Sequence, residues 1–177
     1  MGTASTMACV TEALGFCLPG AATVPAVVAE HSRLAVQTGR RAVAMAWEAL
    51  KPSAFMNAKA IDNGLMTSLA IGGSTNAIVH LIAIAGRLGF ELTLDRFDTL
   101  SRTTPVLADI RPGGRFLMED FFNAGGLSAM LARMTDLLNL DCLTVSGQTL
   151  GQQIDGAESI YYEVIRTRDH PVSAAGG

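Results

Sequence analysis

The stretch Ala70-Ile71-Gly72-Gly73-Ser74-Thr75-Asn76-Ala77, running on through Ile78-Val79-His80-Leu81-Ile82-Ala83-Ile84 to Leu88, decides how the chain is read. Two glycines let the backbone turn tightly and let another group come close. Ser74, Thr75 and Asn76 then stand at a helix start, where unpaired N–H groups and a partial positive charge gather. Two readings are open. One is an ordinary hydroxyl cap behind a glycine turn. The other is a loop that holds a carboxylate or phosphate. No Gly-Lys-Ser/Thr follows, so this is not a Walker loop. From Ala77 to Leu88 apolar residues cover the helix almost all round, which predicts a central, buried element.

Upstream, Met7, Val10, Ala13 and Leu14 recur at helical spacing and predict a helix over 6–16, ended by Leu18-Pro19-Gly20. Thr3, Ser5 and Thr6 make its start a second hydroxyl-rich helix entrance, again readable as a simple cap. Pro25 is placed to open a helix reaching about Leu50, with Val27, Leu34, Val43, Trp47 and Leu50 on its apolar side and a bend or break possible at Gly39. Pro52-Ser53 predicts another helix to Ala70, with Ser53 as cap.

Downstream, a short helix is expected over 94–102. Pro105 to Ile110 is the clearest strand-like run, closed by Arg111-Pro112-Gly113-Gly114. Two helices over 116–123 and 127–138 are split by Gly125-Gly126, and 142–145 reads as a short strand. From Gly151 the chain turns polar and irregular, with no packing logic of its own. The residues thus predict a mainly helical fold with a few short strands.

Composition narrows the function classes. Hydrophobic residues make up 49% of the 177 and charged residues only 16%, against about a quarter charged in ordinary soluble domains. Helices buried on several sides fit that balance, as in large proteins or tight oligomers. The net charge of -3 with no basic patch argues against a nucleic-acid partner. Arg40-Arg41 reads as a solvated helix edge. No apolar run approaches the roughly 18 residues of a membrane span, and the opening Met1-Gly2-Thr3-Ala4 shows no leader pattern. Three cysteines, Cys9, Cys17 and Cys142, give no disulfide framework and fit a cytoplasmic setting. They lack the close spacing of a metal site, and buried small apolar residues explain them better. His80 follows Asn76 by four and can share its face, though a core histidine is the plainer account. Glu119-Asp120 reads as a solvated edge.

Several strings in fixed order carry a resemblance. They are Thr3-Ala-Ser-Thr-Met-Ala-Cys-Val-Thr-Glu-Ala-Leu-Gly15, Leu18-Pro-Gly-Ala-Ala-Thr-Val-Pro25, Ala70 to Ala77, Pro105-Val-Leu-Ala-Asp-Ile-Arg-Pro112, Met118-Glu-Asp120, Ala124-Gly-Gly126 and Asp141-Cys-Leu-Thr-Val-Ser-Gly-Gln-Thr-Leu150. The closing Glu163-Val-Ile-Arg166 and Pro171 to Gly177 belong with them. Together they resemble the dihydroxy-acid dehydratase / phosphogluconate dehydratase family of iron–sulfur hydro-lyases.

The resemblance implies an α/β parent fold of which residues 1–150 form the later part of the N-terminal domain, with 151–177 as the linker into a C-terminal domain. It implies an enzyme that converts a 2,3-dihydroxy carboxylic acid or sugar acid to a 2-keto-3-deoxy acid. An iron–sulfur cluster would act as Lewis acid on the departing hydroxyl and Mg2+ would hold the carboxylate. The cluster cysteines, the magnesium motif and the base serine would all lie outside this sequence, so no catalytic residue and no metal ligand is assigned here. Thr3, Ser5, Gly72, Gly73, Ser74, Thr75 and Asn76 are expected to support and position the site. A homodimer or homotetramer is implied for the full-length form, with exposed apolar surface and self-association for this piece. Ser101 to Pro105 and Phe116 to Phe122 look closer to the sugar-acid branch than to the branched-chain amino-acid branch. A truncated, non-catalytic helical module and a stand-alone phosphate-binding protein are the competing expectations.

Overall fold

Asn57 sets the central helix. Its backbone is extended and its Oδ1 accepts from the Ala60 N–H at 3.0 Å, which satisfies one orphan donor of the first turn. The helix runs Ala58–Ala70 and ten of its residues are buried. The cap is therefore Asn57, not Ser53, because Pro52–Ala54 forms only a separate 3-10 turn. The computed structural model describes residues 2–176. Met1, in the stretch read as lacking a leader, and Gly177, at the end of the resembling tail, lie outside the described residues.

Eight α-helices are seen among the described residues: α1 Thr3–Ala13, α2 Ala29–Trp47, α3 Ala58–Ala70, α4 Asn76–Arg87, α5 Leu94–Ser101, α6 Met118–Asn123, α7 Gly126–Ala132 and α8 Leu150–Ile154. α1 and α3 pack most closely. A Cβ at Gly64 would lie 3.0 Å from Leu14 Cδ2 and 3.4 Å from Val10 Cγ1, so glycine there lets the two helices approach. This pair separates two apolar cores. One gathers Cys9, Met66 and Ile71 with Leu107, Phe121 and Met130. The other gathers Val10, Leu14 and Leu65 with Phe55, Leu81 and Phe97. Asn63, fully buried, ties α3 to the loop beyond α7. Its Oδ1 accepts from the Asn139 N–H at 2.8 Å and its Nδ2 donates to the Asn139 carbonyl at 3.0 Å.

The run 105–110 is buried throughout, but it pairs only through single bridges: Val106 with Ser173, Ala108 with Ile165 and Ile110 with Phe116. Residues 142–145 likewise form one bridge, Leu143 with Thr149. The tail is not the unpacked segment expected. Asp109 N–H donates to the Val164 carbonyl at 2.9 Å and Arg166 N–H to the Leu107 carbonyl at 2.7 Å, and Val164 and Ile165 are buried. The run's backbone donors and acceptors had to be satisfied, and the tail supplies the partners.

Other expectations shift as well. α4 is not buried all round. Only Ala77, Leu81 and Ala85 are buried, Val79 is 68% exposed, and His80 is exposed, not a core histidine. α2 begins at Ala29 because residues 25–28 form turns, and it passes through Gly39 without a break. It ends where Ala49 adopts the left-handed region at φ 53°. Arg41 is no solvated edge. It donates to the Val145 carbonyl and pairs with Glu48 at 2.6 Å, which tethers α2 to the body. Large apolar exposure is present as expected, on Val27 (94%) and Trp47 (87%) most of all. Among the described residues no helix is long and apolar enough to cross a membrane.

Candidate functional site

The two hydroxyl-rich helix starts, 71 residues apart in sequence, meet in space. Thr3 Oγ1 lies 3.1 Å from Ser74 Oγ, and Asn76 Nδ2 donates to Thr3 Oγ1 at 3.0 Å. Beneath them the buried Thr6 hydroxyl donates to the Gly2 carbonyl and accepts from the Ser74 N–H at 3.1 Å. Gly72 sits at φ +60°, the left-handed conformation that glycine adopts without steric cost. Gly73 has a different reason. A Cβ on it would fall 2.7 Å from the Ser68 carbonyl oxygen and 2.8 Å from Thr6 Cγ2. Its own N–H donates to that same carbonyl at 2.8 Å. The loop therefore passes between the end of α3 and the start of α1 with no room for a side chain.

The cap reading holds in part, on Ser74 and not on Thr75. Thr75, the residue before α4, is helical and makes no capping bond with its side chain. The Ser74 hydroxyl instead approaches the Asn76 N–H at 3.4 Å while facing Thr3. Of the expected supporting residues, Thr3, Gly73, Ser74 and Asn76 form one seam. Thr75 is exposed, and Ser5 takes no part in these bonds among the described residues. Beside the seam lies a cleft of about 180 Å3, lined by Gly73, Ser74 and Thr75 from the loop, Ser68 from α3 and Asp98 and Ser101 from α5.

Sequence reasoning passed over three buried polar centres. Glu12 is 4% exposed, and its two carboxylate oxygens accept from the Gly20 N–H at 2.9 Å and the Ala22 N–H at 2.7 Å. It fixes the Leu18-Pro19-Gly20 turn. Burial pushes its carboxyl up despite those donors. Asp109 joins Arg115 and Arg166, and Asn63 joins Asn139. A lone acidic or amide residue in a helix or strand pattern carries no signal of the distant backbone it serves.

Cys9 and Cys142 are buried and Cys17 is half-buried. Burial, with Glu12 adding to it, pushes the Cys9 thiol up to about 12 and the Cys17 thiol to about 11. All three cysteines are free. Among the described residues no three His, Cys, Asp or Glu side chains gather as a metal site. No chemical step is routed through an iron–sulfur cluster or Mg2+ here.

Comparison with known proteins adds the context. Residues 1–153 match the family described as dihydroxy-acid/6-phosphogluconate dehydratase N-terminal. The chain is 46% identical over 181 residues to "Dihydroxy-acid dehydratase 1" of Methanosarcina acetivorans, covering 100% of this chain and 33% of that protein. It is 44% identical to "Dihydroxy-acid dehydratase" of Methanothermobacter thermautotrophicus, over 99% of this chain and 32% of the relative. It is 45% identical over 168 residues to "L-arabinonate dehydratase" of Rhizobium leguminosarum bv. trifolii, over 94% of this chain and 29% of the relative. The chain thus spans about a third of the length of the curated relatives it matches. With the match reaching across both hydroxyl-rich helix starts and the buried run between them and the tail, the chain belongs to the dihydroxy-acid/6-phosphogluconate dehydratase family, within its N-terminal region.

Proposed function

We propose that this chain is part of a hydro-lyase that removes water from a 2,3-dihydroxy carboxylic acid or a sugar acid. In that reaction the C2 proton and the C3 hydroxyl leave as water, and the resulting enol tautomerises to a 2-keto-3-deoxy acid. The observation that carries the reading is the Thr3–Ser74–Asn76 seam, built from two of the strings that resemble the family. Its role is to hold two helix entrances in register beside the reacting centre. Proton transfer and metal binding are left to residues elsewhere in the longer enzyme, where a cluster and Mg2+ belong by family. Residues 1–150 are taken as the later part of an α/β N-terminal domain and 151–177 as the passage to the next domain.

Two substrate branches stand. Ser101, from the string closest to the sugar-acid branch, lines the same cleft as Gly73 to Thr75, which supports a sugar acid such as a pentonate. The relatives' names support a branched-chain dihydroxy acid equally. The test is turnover by the full-length polypeptide that contains this chain, reconstituted with iron, sulfide and Mg2+. It is offered pentonates, hexonates and a 2,3-dihydroxy-3-methyl acid, and 2-keto acid is measured. Product from one class is expected, and it fixes the branch. Absence of product from all of them overturns the dehydratase reading in favour of a non-catalytic helical module.

A further inference from the structure

Thr67 and Ser68 are neighbours on α3, and their hydroxyls end differently. Thr67 donates to the Asn63 carbonyl at 2.8 Å, the back-bond open to a hydroxyl within a helix. Ser68 is only 9% exposed, yet its hydroxyl makes no hydrogen bond among the described residues. It lines the cleft beside the Thr3–Ser74–Asn76 seam. Gly73 keeps it uncovered, since a Cβ there would stand 2.7 Å from Ser68 Oγ. A hydroxyl held this deep without a partner costs the fold stability. Binding sites carry such costs, because the ligand supplies the missing partner.

The rest of the cleft says what that partner is. Asp98 Oδ2 accepts from Arg102, at 3.1 Å from Nε and 2.9 Å from Nη2, while Oδ1 accepts nothing among the described residues. Ser101 donates its proton to the Asp98 carbonyl at 2.9 Å and keeps its lone pairs to accept. The cleft thus offers a donor at Ser68 and acceptors at Asp98 and Ser101. Alcohol groups match that set, since each both donates and accepts. A carboxylate does not, because Asp98 repels it. Leu65, Leu69 and Phe97 line the same cleft and are buried, an apolar surface for the C–H side of a carbon chain. The volume of about 180 Å3 admits a few hydroxylated carbons.

We infer that this cleft is the subsite for the hydroxyl-bearing carbons beyond C3 of the acid, and that Ser68 and Asp98 select a sugar acid over a 2,3-dihydroxy acid with an alkyl end. The inference rests on the dehydratase reading and names the substrate end which that reading leaves open. The carboxylate end of the acid stays out of the cleft, away from Asp98. An alkyl end would leave the Ser68 hydroxyl and the Asp98 carboxylate desolvated and unpaired. A site built on such groups rejects the analogue that lacks the hydroxyl. A hydroxylated end pairs both.

The test is calorimetric binding, with turnover beside it, of a pentonate and of a 2,3-dihydroxy-3-methyl acid to the full-length polypeptide that contains this chain. Ser68→Ala and Asp98→Leu are compared with the unsubstituted protein. Each variant is expected to bind the pentonate about tenfold more weakly, the scale of one lost hydrogen bond, and to hold the alkyl acid within about twofold. Ser68→Ala should leave the thermal midpoint unchanged or raise it, because that hydroxyl has no partner to lose, whereas a merely structural serine would lower it. Asp98 is exposed and its pair with Arg102 is a surface pair of small worth, so Asp98→Leu should fold. Equal losses on both acids, no loss on either, or no binding of the pentonate to the unsubstituted protein overturns the proposal, and turnover of any acid then still keeps the dehydratase reading. Selective loss of pentonate binding with no turnover of any acid upholds the hydroxyl subsite and overturns the reaction instead.

Discussion

Gly73→Ala is expected to destabilise the protein by about 2 kcal/mol, within the 1–3 kcal/mol typical of overpacking. The cause is steric and local. The new methyl would stand 2.7 Å from the Ser68 carbonyl oxygen, and that carbonyl cannot retreat without lengthening the bond it receives from the residue 73 N–H. On the other side Thr6 Cγ2 is 2.8 Å away, on the buried residue whose hydroxyl holds the Ser74 N–H. The loop must lift off α3 or push α1 aside, and either movement parts Thr3 from Ser74. Gly72→Ala makes the comparison. It meets only Val106 Cγ1, at 3.7 Å, but must keep φ +60°, a left-handed strain of roughly 1–2 kcal/mol. Urea unfolding of both variants checks the order, Gly73→Ala being the costlier. A neutral Gly73→Ala would show that the α3–loop–α1 contact is slack.

Asp109→Ala is expected to cost about 2–3 kcal/mol, since hydrogen bonds to a charged group contribute roughly 1.5–3 kcal/mol each and the exposed guanidiniums screen part of that. Asp109 Oδ1 accepts from the Arg115 N–H at 2.9 Å, and Oδ2 accepts from Arg115 Nε at 2.9 Å and from an Arg166 Nη at 3.3 Å. One carboxylate thus joins the buried run, the turn after it and the returning tail. Burial alone would raise its pKa, but the Arg115 backbone N–H and the two guanidiniums outweigh burial and hold it below its ordinary 3.8. The sign follows from that direction. The carboxylate binds its proton less readily folded than unfolded, so its contribution is whole above the ordinary value and fades as pH falls through the folded one. The stability gap between wild type and Asp109→Asn should therefore be constant from neutral pH down to about pH 4, the ordinary carboxylate range, and close below it. A gap that persists unchanged into stronger acid would mean that shape, not charge, holds the three segments.

Much of the helical frame was legible in the residues. The apolar spacing of α1, the glycine punctuation before α4 and the short helix over 94–101 all follow from local rules. So did the pairing of interest, in part: both Thr3 and Ser74–Asn76 stood out as hydroxyl-rich helix starts. That they touch was not legible, because contact across 71 residues depends on how α1 packs on α3. Gly64 permits that packing, yet in sequence it reads only as a weak helix residue. The surfaces misled for the opposite reason. Apolar residues around α4 and along α2 predicted burial, and the structure leaves Val79, Val43 and Trp47 exposed. Apolar patterning tells that a face needs a partner, not whether the partner lies within the same 177 residues. The tail was missed because Val164 and Ile165 are too few to show a period, although together they complete the 105–110 run.

The central claim is that the Thr3–Ser74–Asn76 seam positions a dehydratase site and is not only a helix cap. The most direct measurement is kcat and KM for Ser74→Ala in the full-length polypeptide, on whichever acid it dehydrates, beside the thermal midpoint of the same variant. The account predicts turnover down on the order of tenfold or more, the scale of a small misplacement of reacting groups, with the midpoint lowered by only a few degrees and partial recovery in Ser74→Thr. Unchanged turnover with the same small loss of stability would contradict it.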